Sequence, residues 1–358
     1  MIETTYRVHI MPGALDAIGG VVRVVARAHR YAIVTDSTVG PLYAQRAQEA
    51  LAGERSDVFT IPTGEKYKTR KTWTAVTDEM LDAGLGRDTV VIALGGGVVG
   101  DLAGFVAATF MRGVPFVQVP TTLLAMLDAS IGGKTGVDTQ AGKNLVGAFH
   151  QPAAVIADPS LLATLPVEQF RAGFSEALKH GVIADSAHFD AVTTLGSTIF
   201  HRHRPDDRSV SAMVARSVEI KSAIVASDMR ESGRRKTLNF GHTIGHAIEH
   251  LSGYTLLHGE AVAIGMCVEA AIAEHMAIAE PGTAARIRAA CAAVELPTSV
   301  PDDLPAAEIL RITHGDKKGR AGRAAYALPA RIGAMAFADR HWAAPVPDDV
   351  VLAVLGGE

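Results

Sequence analysis

Cysteine is scarce: Cys267 and Cys291 are the only two in 358 residues. Two thiols cannot build a disulfide framework, and neither stands in a CxxC pair. They read as small buried thiols in a reducing compartment. Charge of one sign is also lacking. Lys and Arg number 34 against 38 Asp and Glu, a formal charge of −4. There is no basic surplus to hold a phosphate polymer, so nucleic-acid binding is not expected. The start, MIETTYRVHI, lacks the basic residues and apolar run of a secretory signal. The most apolar window, 90–111, is broken by Asp101 and a glycine cluster. It reads as a buried strand, turn and helix rather than a membrane span. The expectation is a soluble cytoplasmic protein with no membrane partner.

What is present is core-forming material. Apolar residues make up 48% and charged residues 20%, which excludes a disordered chain. At roughly 150 residues per domain, the length suggests two domains. Residues 1–165 alternate strand and helix signals. Strands are expected at 6–10, 31–35, 57–61, 89–94 and 116–119, and helices at 14–27, 41–51 and 65–83. This βαβ alternation predicts a mainly parallel sheet with helices on both faces. From 166 to 358 the texture is mainly α-helical. Helices are expected at 167–183, 209–227, 242–251, 260–277 and 283–294. Late strand signals at 324–328 and 334–337 predict a hairpin, with Pro329 and Gly333 bounding its loop. The run His201-Arg202-His203-Arg204, before Pro205-Asp206-Asp207, reads as a solvated loop.

Gly95-Gly96-Gly97-Val98-Val99-Gly100-Asp101 follows a strand and opens a helix. Glycines there let the backbone approach a pyrophosphate, and the helix N-terminus adds anion affinity. The pattern is GGGxxGD, not GxGxxG. Gly133-Lys134-Thr135 looks like the end of a P-loop, but the first glycine of that motif would fall on Asp128, so the P-loop reading fails. Lys134 and, in Gly142-Lys143-Asn144, Lys143 remain as lysines in glycine-rich apolar surroundings. Such lysines need an anionic partner when buried, so both read as anion binders.

His242, His246 and His250 are four apart and share a helix face, and His258 and Glu260 follow. Imidazoles so spaced, with a carboxylate, can bind Zn²⁺ with one position open. No HExxH is present, which removes the zinc-protease reading. Spacing leaves open which histidines ligate, and whether the carboxylate is Glu176, Glu249 or Glu260. Glu176 and Lys179 are three apart on an expected helix, the spacing of an ion pair. Lys221, Arg234, Arg235, Lys317 and Lys318 add positive charge to this half, which suits an anionic substrate beside a metal.

Several long blocks in order now carry a resemblance over nearly the whole chain. They are PTGEKYK at 62–68, GGGVVGDLAGFVAATFMRG at 95–113, VPTTLLAMLDASIGGKTGVD at 119–138 and GKNLVGAFHQP at 142–152. SEALKHG at 175–181, NFGHTIGHAIE at 239–249, LLHGEAVAIGM at 256–266 and GDKKGRAG at 315–322 complete the set. The chain resembles the 3-dehydroquinate synthases of the sugar-phosphate cyclase superfamily. Relatives that make inosose or valiolone rings depart from this pattern around GGK, GKN and NxGHTxGH, where this chain keeps it.

The resemblance implies a Rossmann-like NAD site in an α/β domain at 1–165, and a mainly α-helical metal- and substrate-binding domain at 166–358. Asp36, Glu65 and Lys68 would hold the adenosine end of NAD. The turn Gly96, Gly97, Val98, Val99, Gly100 and Asp101 would hold the pyrophosphate. Thr121, Thr122, Lys134, Lys143 and Thr164 would complete that pocket. Glu176, His242 and His258 would hold one divalent metal, zinc or cobalt. Asp128, Lys134, Asn144, Lys179, Lys221, Arg235, Asn239, His246 and one of Lys317 and Lys318 match the family's substrate pocket. Arg112 matches an arginine that reaches the neighbouring subunit's substrate phosphate, which implies a homodimer.

The implied reaction converts 3-deoxy-D-arabino-heptulosonate 7-phosphate to 3-dehydroquinate and phosphate, the second step of the shikimate pathway. Transient oxidation by NAD would acidify a C–H, phosphate would leave by β-elimination, and re-reduction, ring opening and aldol closure would follow. Two rivals are distinguishable. A metal-dependent polyol dehydrogenase would release net NADH and has no use for so many lysines and arginines. An idle binding module would have lost a ligand or a lysine, and none is missing.

Overall fold

Residues 89–95 and 116–120 show no polar alternation, the mark of strands covered on both faces. The computed structural model describes residues 6–140, 142–202, 207–315 and 324–357. The chain divides into two units, Met1–Pro166 and Val167–Glu358. In the first, β1 (Arg7–Ile10), α1 (Ile18–Val25), β2 (Arg30–Asp36), α2 (Gly40–Ala50), β3 (Ser56–Ile61), α3 (Arg70–Asp82), β4 (Thr89–Gly95), α4 (Gly97–Thr109) and β5 (Phe116–Pro120) follow in order. A hairpin of β6 (Lys134–Thr139) and β7 (Gly142–Phe149) precedes β8 (Ala154–Ala157). Six strands form one sheet in the order β1-β8-β5-β4-β2-β3, with every pairing parallel.

Period-two alternation sorts the strand side chains onto two cores. Ala32, Val34, Val91 and Ala93 pack with Val76, Val99 and Leu102 from α3 and α4. Tyr31, Ile33, Val90 and Ile92 pack on the opposite face with Ile18, Val22 and Ala47 from α1 and α2. Glycine allows α4 to start hard against the sheet: a Cβ on Gly95 would lie 2.6 Å from Val99 Cβ. The chain leaves β2 towards β3 on one side and leaves β4 towards β5 on the other. That reversal opens a crevice at the carboxyl ends of β2 and β4, where open α/β sheets bind their ligands.

The helix expected over 65–83 is broken. A 3₁₀ turn spans Glu65–Tyr67, Thr69 is extended at φ −125° and ψ 163°, and its hydroxyl accepts from Thr72 N–H at 3.2 Å to start α3. Lys68 C=O instead accepts from Asp138 N–H at 2.7 Å. A threonine N-cap outcompetes helix continuation there.

The second unit contains α5 (Val167–Ala184), α6 (Ser186–Arg202), α7 (Asp207–Ser227), α8 (His242–Leu251), α9 (His258–His275), α10 (Thr283–Ala293) and α11 (Ala306–Gly315). Short strands β9 (Ala325–Tyr326), β10 (Pro329–Arg331), β11 (Ala334–Met335) and β12 (Ala344–Pro345) precede α12 (Asp348–Gly356). Its core joins Ile244 and Ile248 of α8, Ile264 and Ile272 of α9, Ile309 of α11 and Val351 of α12. The expected late hairpin is corrected. β10 pairs with β11, and β9 pairs with β12, so Pro329 begins a strand instead of bounding a loop. His201 and Arg202, read as loop, end α6, and 203–206 lie outside the described residues. Among the described residues no helix is long and apolar enough to cross a membrane.

Candidate active site

The first unit gathers its expected residues at the carboxyl ends of the strands. Asp36 ends β2, and its Oδ1 accepts from Thr38 N–H (2.8 Å), Val39 N–H (2.9 Å) and Thr63 hydroxyl (3.0 Å). Gly96 stands before α4 at φ −74° and ψ −171°. A Cβ there would lie 3.1 Å from Thr122 Cγ2, so the bare turn leaves room that a side chain would fill. Gly97, Val98, Val99, Gly100 and Asp101 form the first turns of α4. The buried Thr121 donates its N–H to Gly95 C=O at 3.0 Å. Thr122 hydroxyl accepts from Ala125 N–H at 3.2 Å. Thr164, exposed, has its hydroxyl 2.7 Å from that of Tyr43 in α2.

Beside the turn lies a charge cluster. Lys68 is 3% exposed, and its Nζ lies 2.6 Å from Asp101 Oδ2, 3.8 Å from Glu65 Oε1 and donates to Asn144 Oδ1 at 2.6 Å. Burial opposes its charge, but Asp101 and Glu65 outweigh burial and hold the ammonium above its usual range. Lys143 Nζ lies 3.5 Å from the same Glu65 oxygen. Asn144 is left-handed at φ +53°. Lys134 is exposed at the start of β6. Asp128 lies in a five-residue π-helical stretch, Ala125–Ala129, a distortion often found at functional sites. Arg112 is exposed and follows α4 in a turn where Met111 (φ +52°) and Arg112 (φ +70°) are both left-handed. Two such non-glycine residues together store strain, which marks functional turns.

In the second unit Glu176, on α5, is 1% exposed. Its Oε1 lies 3.5 Å from His242 Nε2 and 3.9 Å from His258 Nε2, and the three side chains form a candidate ligand group. Donor atoms about 2.1 Å from a tetrahedral metal stand about 3.4 Å apart; the 3.5 Å separation is close to that and the 3.9 Å one slightly wider, and all three donors lie within 4.8 Å of one another. His242 Nδ1 donates to Phe240 C=O at 3.1 Å, which leaves Nε2 with its lone pair. His258 Nδ1 faces Glu249 Oε2 at 3.3 Å, the carboxylate–histidine pairing that orients metal ligands. Burial and then the Lys179 charge hold His242 well below its usual range, hence neutral. His258 is raised: burial opposes charge, but the Glu249 hydrogen bond prevails. His246, Glu249 and His258 form a second grouping that shares His258. Lys179, 1% exposed, makes a short ion pair with Glu176. What the spacing allowed as a surface pair is therefore fully buried. His250 is exposed, and Glu260 accepts from Leu257 N–H at 2.9 Å to begin α9.

A cavity of about 310 Å³ opens on this cluster, lined by Glu231, Lys236, Asn239, His242, Thr243 and His246 among others. Asn239 donates to Glu231 Oε1 at 2.6 Å. Glu231 escaped the sequence reading. Its signal is local: it sits left-handed at φ +59°, in a loop that Asp228 ties down by accepting from Gly233 N–H (2.7 Å) and Arg235 N–H (3.0 Å). Arg235 is buried and donates to Met229 C=O at 2.7 Å. Lys221 is buried on α7. Lys317 and Lys318 lie outside the described residues.

Two family models match the chain in tandem: one described as 3-dehydroquinate synthase N-terminal over 58–172, and one as 3-dehydroquinate synthase C-terminal over 173–319. The chain belongs to the 3-dehydroquinate synthase family. A relative named 3-dehydroquinate synthase, from Citrifermentans bemidjiense, is 43% identical over 321 residues, covering 89% of this chain and 88% of its own. Among solved structures, a 2-deoxy-scyllo-inosose synthase complexed with carbaglucose-6-phosphate, NAD⁺ and Co²⁺ superposes with a TM-score of 0.90 at 25% identity. That match covers 99% of this chain and 98% of the other. The 2-epi-5-epi-valiolone synthase ValA from Streptomyces hygroscopicus subsp. jinggangensis 5008, with NAD⁺ and Zn²⁺ bound, has a TM-score of 0.87 at 29% identity. It covers 99% and 97% of the two chains.

Proposed function

We propose that this chain converts 3-deoxy-D-arabino-heptulosonate 7-phosphate to 3-dehydroquinate and inorganic phosphate, with NAD and one zinc or cobalt ion as cofactors. The observation that carries the reading is the three-donor group Glu176, His242 and His258 at the edge of the cavity holding Asn239, His246 and Glu231. Glu176, His242 and His258 are the residues proposed to hold the metal, which when bound polarises a substrate hydroxyl and lowers its pKa. The glycine turn, Asp36, Glu65, Lys68, Lys143 and Thr121, Thr122 and Thr164 are proposed to hold NAD, which when bound accepts a hydride and returns it.

The chain's own residues supply charge and position. Burial, and then the Lys179 charge, keep His242 neutral and ready to ligate. Lys134, Lys221, Arg235 and one of Lys317 and Lys318 are assigned to the substrate's carboxylate and phosphate, whose charge needs cations held in place. Asp128, Asn144 and Asn239 are assigned to its hydroxyl groups. His246 and Glu231, both facing the cavity, are the groups placed to take or return protons. Once the ring opens, closure joins two ends of one held molecule, a large advantage in effective concentration.

We further assign Arg112 to the phosphate of a partner subunit's substrate in a homodimer. Its exposure and left-handed backbone support a role outside its own core. Two free, buried cysteines support a reducing, cytoplasmic setting. The test supplies the heptulosonate phosphate with NAD⁺ far below the substrate concentration. Phosphate release continuing through many turnovers per NAD⁺, with no NADH accumulating, is expected. Release that stops when NAD⁺ is consumed would make the chain a dehydrogenase instead.

A further inference from the structure

Helix α8 begins with metal-ligand candidate His242, and the residue before it is Gly241, left-handed at φ +79° and without a side chain to cap the helix. The opening N–H groups of a helix need acceptors when buried. Here one comes from the neighbouring helix. Glu269 of α9 is 0% exposed, and its carboxylate accepts from Gly241 N–H at 2.6 Å and Ile244 N–H at 3.1 Å. Its two oxygens thus bracket His242 in sequence. The helices meet backbone to backbone at the same place: a Cβ on Gly265 would lie 1.9 Å from Gly241 C=O. The first turn of α8 therefore has little freedom except about this carboxylate.

We propose that Glu269 is a positioning residue for the metal site: by clamping the first turn of α8 it sets where His242 Nε2 points. The inference rests on the reading of Glu176, His242 and His258 as metal ligands. The same helix provides its control. Glu274 accepts from Ala284 N–H at 2.7 Å and so caps α10, which also starts after a left-handed glycine, Gly282. No candidate metal ligand lies on α10.

The experiment strips full-length chain of metal, then titrates Co²⁺ against a chelator while recording the visible absorption of the bound ion and the thermal midpoint of the metal-free form. Glu269→Gln, which turns an acceptor oxygen into a donor facing backbone N–H, and Glu269→Asp, which withdraws the carboxylate by a methylene, are expected to bind Co²⁺ about 10- to 100-fold more weakly, with a shifted spectrum. Glu274→Gln is expected to lower the thermal midpoint yet leave affinity and spectrum unchanged. Wild-type affinity in both Glu269 variants would overturn the proposal, as would an equal loss in Glu274→Gln. Failure of both Glu269 variants to fold would assign the residue to stability alone and overturn it too. If the wild-type chain itself takes up no stoichiometric Co²⁺, the metal reading falls first, and the two failures stay distinguishable.

Discussion

Replacing Glu176 by Gln keeps the shape of the site and removes one charge, so it separates two roles of a single carboxylate. Glu176 and Lys179 are each 1% exposed and paired. Removing one member of such a pair leaves a buried charge uncompensated, at a cost of about 3–5 kcal/mol. The same oxygens face His242 and His258, so the metal loses its one anionic ligand. Urea unfolding in chelator should show Glu176→Gln and Lys179→Met each destabilised by about that amount. The double variant should be less destabilised than the sum, because neither charge remains to be desolvated. Metal content, measured by elemental analysis, should be lost in Glu176→Gln and stay lost in the double variant. NAD titration should match wild type, since the residues assigned to NAD lie in the first unit. A stoichiometric ion retained in Glu176→Gln would refute the metal assignment. Strict additivity of the two substitutions would refute the buried pair.

Three further expectations are independent of that one. His246→Ala should slow turnover at least about 100-fold, the scale of a lost proton carrier, with metal content retained; loss of the metal would move His246 into the ligand set. Arg112→Ala should be inactive alone and recover activity when mixed with His246→Ala, since a hybrid dimer rebuilds one complete site; no recovery would remove Arg112 from the interface role. His188, 5% exposed with Nε2 2.9 Å from Ser217 hydroxyl, is pushed down to about 4 by burial and by His180. The native state thus binds fewer protons than the unfolded chain between about pH 6.5 and 4, and stability falls on acidification through that window by up to about 3 kcal/mol. His188→Gln should flatten that part of the stability curve, and an unchanged slope would place the loss elsewhere.

The parts of the fold visible in the sequence are those where one physical demand dominates. β4 and β5 are buried along their whole length, so their apolar runs have one reading. The glycine turn is visible because α4 cannot otherwise approach the sheet at Gly95. The break at Lys68 and Thr69 was hidden because the Thr69 cap acts together with a contact from distant sequence, Lys68 C=O accepting from Asp138 N–H. β6 and β7 were hidden because β7 is half exposed and carries two glycines, which blurs alternation. The late strands were mispaired because two-residue strands carry no period.

At the site, histidine spacing located the metal candidates but left the carboxylate open, and only tertiary packing brings Glu176 of α5 beside His242 and His258. Glu231 and Glu269 have no motif of their own in one sequence, and each acts through a partner that folding brings near: Asn239 and the start of α8 respectively. Glu249 stood among the candidate carboxylates, and folding instead sets it behind His258.

The account stands or falls on whether hydride leaves the sugar and comes back to it. A substrate carrying deuterium at the carbon proposed to be transiently oxidised, turned over with a trace of NAD⁺, decides this by mass spectrometry. Retention of the deuterium in the carbocyclic product is the predicted result. Its loss to the nicotinamide pool would contradict the mechanism at its root.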